Sequence, residues 1–133
     1  MKQNFDRTNP DEADEYFMDC IRKGNLKNAM TCFDPDGVYM DKDGNAISGL
    51  ANIEKVVANL CNMKPDLKIY KHKNTPVGND LIYRLDKWTL TATDPQGNPI
   101  KMHGASAHIM RKNAEGVWLW LVDNPFAASF FVD

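Results

Sequence analysis

The stretch from Asp80 to Pro125 constrains the fold of this 133-residue chain more than any other part of it. It holds three long runs rich in β-branched and aromatic residues, at 80–93, 101–112 and 117–123. Short polar connections, Asp94–Pro99 and Asn113–Gly116, join them. Runs of this kind separated by Gly, Pro and Asn predict an antiparallel meander. Leu67–His72 supplies a fourth strand, with Thr75–Asn79 as its turn.

The residues before the meander read as helices with one apolar stripe each. Thr8 or Asn9 can cap a first helix, Pro10 suits its first turn, and Asp11 and Glu12 complement its positive end. Ala13, Tyr16, Phe17, Cys20 and Ile21 form the stripe, and Gly24 ends the helix. Asn25 caps a short second helix with Leu26, Ala29, Met30 and Phe33 inward. Asp34-Pro35-Asp36-Gly37 predicts a turn. Val38–Met40 and Ala46–Ser48 read as short strands around the turn Asp41–Asn45. A third helix runs from Leu50 to Asn62, with Ile53, Val56, Val57, Leu60 and Cys61 on its stripe, and Ser48 can serve as its cap. Residues 1–7 read as a flexible arm.

Three one-sided helices followed by a meander predict a single α+β domain spanning residues 1–133, with the helices packed on a strongly bent antiparallel sheet. A bent sheet leaves a gap beneath the helices, where an internal pocket can form. The formal net charge is −2, with Lys and Arg scattered. That distribution predicts no nucleic-acid partner and no membrane-surface helix. Cys20, Cys32 and Cys61 fall in predicted helices, an odd set that suits reduced thiols. The opening residues carry no apolar signal core, so a cytoplasmic location is expected.

The order of elements resembles the nuclear transport factor 2-like superfamily, a cone-shaped cystatin-like fold that also holds ketosteroid isomerase-like and SnoaL-like proteins. The resemblance covers Asp14 to Pro125. It rests on Arg22–Leu26, Phe33–Val38, Ser48–Ile53, Trp88–Pro99, Gly104–Lys112, Gly116, Trp118 and Asp123. It implies proton transfer in an apolar cavity, of isomerase, cyclase or dehydratase type, or else non-catalytic association. Counting from Gly24-Asn25-Leu26 carries the family's base onto Asp41. Counting back from the Asn113–Gly116 turn carries its acid onto His108, and the tyrosine position falls on Phe17, beside Tyr16. A homodimer packed through the outer sheet face is also implied.

Asp41 would be a base in a desolvating cavity, or else a solvated turn aspartate. Strand alternation sets His108 with Gly104, Ser106 and Met110, opposite His103, Ala105, Ala107 and Ile109. His108 is then a polar partner in the pocket or a satisfied core histidine. Tyr16, Phe17, Tyr39, Met40, Trp88, Ser106 and Trp120 would line a cavity or fill a core. Asp123 is a pocket acid or a cap before Asn124-Pro125. His103 and His108 lie on opposite faces, and Asn52 occupies the twelfth position from Asp41 where a calcium loop needs Glu. No metal and no cofactor are expected. The expected partner is a small apolar or aromatic molecule, and the apolar segment from Phe126 to Val132 is expected over the cavity mouth or across a dimer.

Overall fold

A computed structural model describes residues 4–131. Helix α1 (Pro10–Lys23) starts where the Asn9 side chain accepts the Asp11 and Glu12 N–H groups, and stops at Gly24, which takes the left-handed conformation at φ 71°. Asn25 caps the five-residue α2 (Leu26–Met30) by accepting the Asn28 N–H. Helix α3 (Leu50–Met63) begins at Gly49 without a side-chain cap. Ser48, a candidate cap, ends a strand instead.

The sheet has six strands: β1 (Phe33–Met40), β2 (Ala46–Ser48), β3 (Asp66–Val77), β4 (Leu81–Thr93), β5 (Pro99–Lys112) and β6 (Trp118–Asp123). Their spatial order is β2-β1-β6-β5-β4-β3, in a curled, unclosed layer. The expected meander is present as β3 to β6, joined by antiparallel pairs. The expectation of an all-antiparallel sheet is corrected, because β1 runs parallel to β6. The segment after α2 therefore pairs with the last strand, in a contact that sequence neighbourhood does not signal.

The Asp34–Gly37 segment is likewise not a free turn but a bulge inside β1. Phe33 faces Trp120 and Val38 faces Val122, with the register shifting between them. Asp34 Oδ1 accepts the Asp36 N–H at 2.9 Å, which bends the chain locally. Gly37 is required there: a Cβ would lie 2.9 Å from the carbonyl oxygens of Asp34 and Trp120. Phe33, expected on α2, is thus a strand residue. Cys32 sits just before it, outside any helix.

The helices cover the concave face. Phe17, Met18 and Ile21 from α1 and Ile53 and Val57 from α3 pack with Leu67, Ile82, Leu90, Met110 and Trp118 from the sheet. Cys20, Cys32 and Cys61 are buried free thiols. Of the arm expected over residues 1–7, residues 1–3 lie outside the described residues. The rest is anchored: Arg7 donates to the Thr31 carbonyl at 2.9 Å, its carbonyl accepts the Trp118 N–H, and Phe5 packs edge-on against Tyr16.

On the convex face Tyr83 and Leu85 stay exposed, with Ala105, Ala107 and Ile109 half-buried among them. Among the described residues, no helix is long and apolar enough to cross a membrane.

Candidate functional site

A cavity of about 250 Å³ lies between the helices and the concave face. Phe17 and Met18 of α1, Val56, Val57, Leu60 and Met63 of α3, and Leu67, Ile69, Trp88, Leu90 and Trp120 of the sheet give it apolar walls. Pro125 and Phe126, from the segment after β6, complete one side. The Trp88 indole N–H donates to the Pro125 carbonyl at 2.7 Å, and the Phe126 ring meets Trp88 edge-on at 5.7 Å. Gly104 makes room for that indole, since a Cβ there would stand 2.6 Å from Trp88 Cζ2.

One end of the cavity is polar. Asp14, Asp86, Ser106, His108 and Asp123 converge there, all buried. Each arrives by simple periodicity. Asp14 shares the α1 stripe with Phe17, Met18 and Ile21, at helical spacing. Arg84 and Asp86 alternate in phase with Ile82, Trp88 and Leu90 on β4. Ser106 and His108 face inward on β5, and the register sets Arg84 opposite His108 and Asp86 opposite Ser106.

His108 is the hub. Its Nε2 lies 3.4 Å from Asp86 Oδ2, and its Nδ1 lies 3.4 Å from Asp123 Oδ1. Nδ1 also accepts the Asn124 N–H at 3.0 Å. Trp120 packs against the imidazole at 4.7 Å between centroids. Behind this group Arg84, 2% exposed, bonds Asp14 Oδ2 at 2.9 Å and Asp11 Oδ1 at 2.7 Å. Both oxygens of Asp86 are buried, and no hydrogen bond to them is closer than the 3.4 Å approach of His108 Nε2.

Burial and charge shift these groups apart. Burial pushes Asp14 and Asp123 up to about 6, only partly offset by Arg84 and His108 for Asp14 and by His108 for Asp123. For Asp86 burial acts upward too, but His108, Ser106 and Arg84 hold it below the ordinary carboxylate value. Burial alone would depress His108; the carboxylates of Asp86, Asp123 and Asp14 reverse this and raise it. Burial, with Asp123 and Asp41 nearby, raises the Tyr39 phenol. Carboxylic acids pushed up to about 6 beside an imidazole, inside one apolar cavity, can exchange protons with a bound molecule.

Of the residues expected at a site, the structure brings Phe17, Tyr39, Trp88, Ser106, His108, Trp120 and Asp123 together around the cavity. It leaves three outside. Tyr16 turns toward the amino-terminal segment, where Arg7 stacks on its ring at 4.7 Å. Met40, the last residue of β1, does not reach the cavity. Asp41 occupies the turn between β1 and β2, and its Oδ1 accepts the N–H groups of Asp43 and Asn45, each at 2.9 Å. The expectation that Asp41 and His108 share the cavity is therefore corrected, since the turn captures that carboxylate. Asp14, Arg84 and Asp86 are additions. Their inward phase among apolar neighbours is a legible signal, but the partners that tolerate their burial come from distant strands.

Among the described residues, no set of three or more His, Cys, Asp and Glu side chains is arranged to hold a metal ion.

The model of the SnoaL-like domain family matches residues 14–119, most of the chain. The chain belongs to that family. The SnoaL-like assignment spans α1 through the start of β6, and so includes Asp14, Arg84, Asp86 and His108 but not Asp123. Solved structures share the SnoaL-like chain's fold at low identity. One is a protein from Xanthomonas campestris named after the calcium/calmodulin-dependent protein kinase II association domain, with TM-score 0.75, 19% identity, and coverage of 84% of this chain and 79% of that one. Another, from Streptomyces avermitilis, is named as a candidate dehydratase of the NTF2-like family, with TM-score 0.74, 10% identity and coverage of 86% and 90%. A third is an NTF2-like superfamily protein from Salmonella enterica, with TM-score 0.74, 16% identity and coverage of 85% and 84%. At such identities the likeness establishes the fold alone. No functionally curated protein matches the sequence.

Proposed function

We propose that the protein binds a small hydrophobic or aromatic molecule in this cavity and moves a proton on it, with His108 and Asp123 as the acid–base pair. The observation that carries this reading is their meeting, at 3.4 Å, at the polar end of a cavity otherwise walled by apolar side chains. Cavities for drug-sized ligands run to about 300–1,000 Å³. A volume of about 250 Å³ therefore suits a compound of one or two rings. Tyr39 supplies a phenol that stays protonated and can donate to an oxygen of the bound molecule. Asp41, held in its turn, takes no part in the transfer. The name of the Streptomyces avermitilis neighbour is in keeping with such chemistry.

The test uses a small two-ring ketone, 2-tetralone, in deuterated water. Binding is read from quenching of Trp88 and Trp120 fluorescence, and proton transfer from deuterium entering the carbon beside the carbonyl. Wild type is expected to bind and to speed exchange, and His108→Gln to bind without exchange. Binding with no exchange in wild type would reduce the protein to a non-catalytic binder.

A second reading, association, is favoured by the convex face. Exposed Tyr83 and Leu85 with half-buried Ala105, Ala107 and Ile109 form a surface suited to a second copy, giving a homodimer packed sheet to sheet. Two neighbours are named for association domains. The two readings are compatible, because the cavity and the convex face lie on opposite sides of one sheet. Three buried free thiols suit a reducing compartment such as the cytoplasm.

A further inference from the structure

We propose that the molecule bound in the cavity carries a protonated amine, and that this ammonium group docks on Asp86. The inference rests on the cavity reading above and names the chemistry of its occupant.

Asp86 is the feature left unexplained by the fold. Its side chain is 1% exposed, it lines the cavity, and neither carboxylate oxygen has a hydrogen bond closer than the 3.4 Å approach of His108 Nε2. A buried carboxylate short of donors is costly, so such groups are almost always partnered. The nearest cationic atoms stop short. Arg84 Nε stands 3.6 Å from Oδ2, and its other nitrogens are committed to Asp11 and Asp14. His108 Nε2, at 3.4 Å, faces Oδ2 at the long limit of a hydrogen bond.

An occupant can bring closer donors. A hydroxyl offers one, whereas an ammonium offers three and a positive charge. The charge is wanted here. Three carboxylates, Asp14, Asp86 and Asp123, share one guanidinium and one imidazole, and Asp11 draws on the same guanidinium from outside. The walls suit a cation as well, because indole and phenyl faces attract one at close range. An apolar amine would lay its hydrocarbon part along α3 and its ammonium at the Asp86 end.

The test compares 2-phenylethylamine, charged at pH 7.5, with its neutral isostere 2-phenylethanol, by calorimetric titration of the whole protein. The amine is expected to bind about tenfold tighter or more, the scale of one charge-assisted hydrogen bond. Asp86→Asn is expected to bring the two affinities to within about twofold. If that variant does not fold, Asp86→Glu is read instead: it keeps the charge, so the amine preference is expected to persist, and its loss in the folded variant overturns the inference. Equal or tighter binding of the alcohol overturns the inference and leaves the cavity reading standing. An amine preference that survives in folded Asp86→Asn also overturns it. Binding of neither compound overturns both.

Discussion

His108 Nδ1 receives the Asn124 N–H at 3.0 Å while Asp123 Oδ1 lies 3.4 Å from the same nitrogen. The two contacts demand different proton positions. Accepting from Asn124 needs a lone pair on Nδ1, which puts the imidazole proton on Nε2, toward Asp86. Attracting an ionised Asp123 needs a proton on Nδ1. When Asp123 is neutral, the first arrangement suffers no repulsion; when Asp123 ionises, the second is favoured. Moving a proton onto Nδ1 thus costs the Asn124 hydrogen bond, which attraction to an ionised Asp123 offsets.

Stability should peak in mildly acid solution. Asp14 and Asp123 rise from 3.8 to about 6 on folding. Between these values the folded state holds more protons than the unfolded one, so stability falls as pH rises through that window. His108, raised above 6.5, extends the fall: its contribution is complete below 6.5 and lost as pH climbs through its folded value. Asp11, Asp34 and Asp86, all lowered, act oppositely, contributing above 3.8 and losing that contribution in stronger acid. Melting temperatures across pH 3–9 should be highest near pH 4–5, and Asp123→Asn should flatten the alkaline decline. A maximum at pH 8 would contradict the assignment.

Arg84→Met should be among the most damaging single changes. It leaves Asp14 and Asp86 buried without their guanidinium, a loss of about 3–5 kcal/mol for a broken buried pair. Denaturant midpoints at pH 7 and pH 4.5 should show a smaller loss at the lower pH, where Asp14 can take a proton.

Gly104→Ala tests the segment that closes the cavity. The new methyl would meet the Trp88 ring at 2.6 Å, and the indole could yield only by breaking its bond to Pro125. A cost of about 1–3 kcal/mol is expected from overpacking. A change in Trp fluorescence and faster amide exchange at Phe126 should accompany it.

Asp41→Asn should leave ligand binding within about twofold of wild type and cost about 1 kcal/mol or less, because its carboxylate serves only its own turn. A large loss of binding, measured by the same titrations, would return Asp41 to the site.

Leu85→Lys and Tyr83→Lys should halve the mass seen by light scattering. Both side chains stand on the exposed convex face, where a charge opposes a second sheet without touching the core.

Much of the fold and site is readable from residue order. Alternation along β5 sets Ser106 and His108 inward, and the stripes of α1 and α3 name the helical side of the cavity. The same alternation carries Arg84 and Asp86 inward, but charged residues in an apolar phase can be recognised as buried only with the register that supplies their partners. Asp41 shares the phase of Tyr39, yet β1 ends at Met40 and the Asn45 amide takes its carboxylate. The parallel β1–β6 contact leaves no local trace, since its two halves lie at opposite ends of the chain.

That contact has a kinetic consequence. β1 can form its hairpin with β2 from adjacent residues, but its other edge must wait for β6 to arrive from the far end of the chain. During refolding, an unpaired strand that includes Phe33, Val38 and Tyr39 stands ready to template another chain. Refolding yield should therefore drop steeply with protein concentration, and the aggregates formed should be seeded at β1.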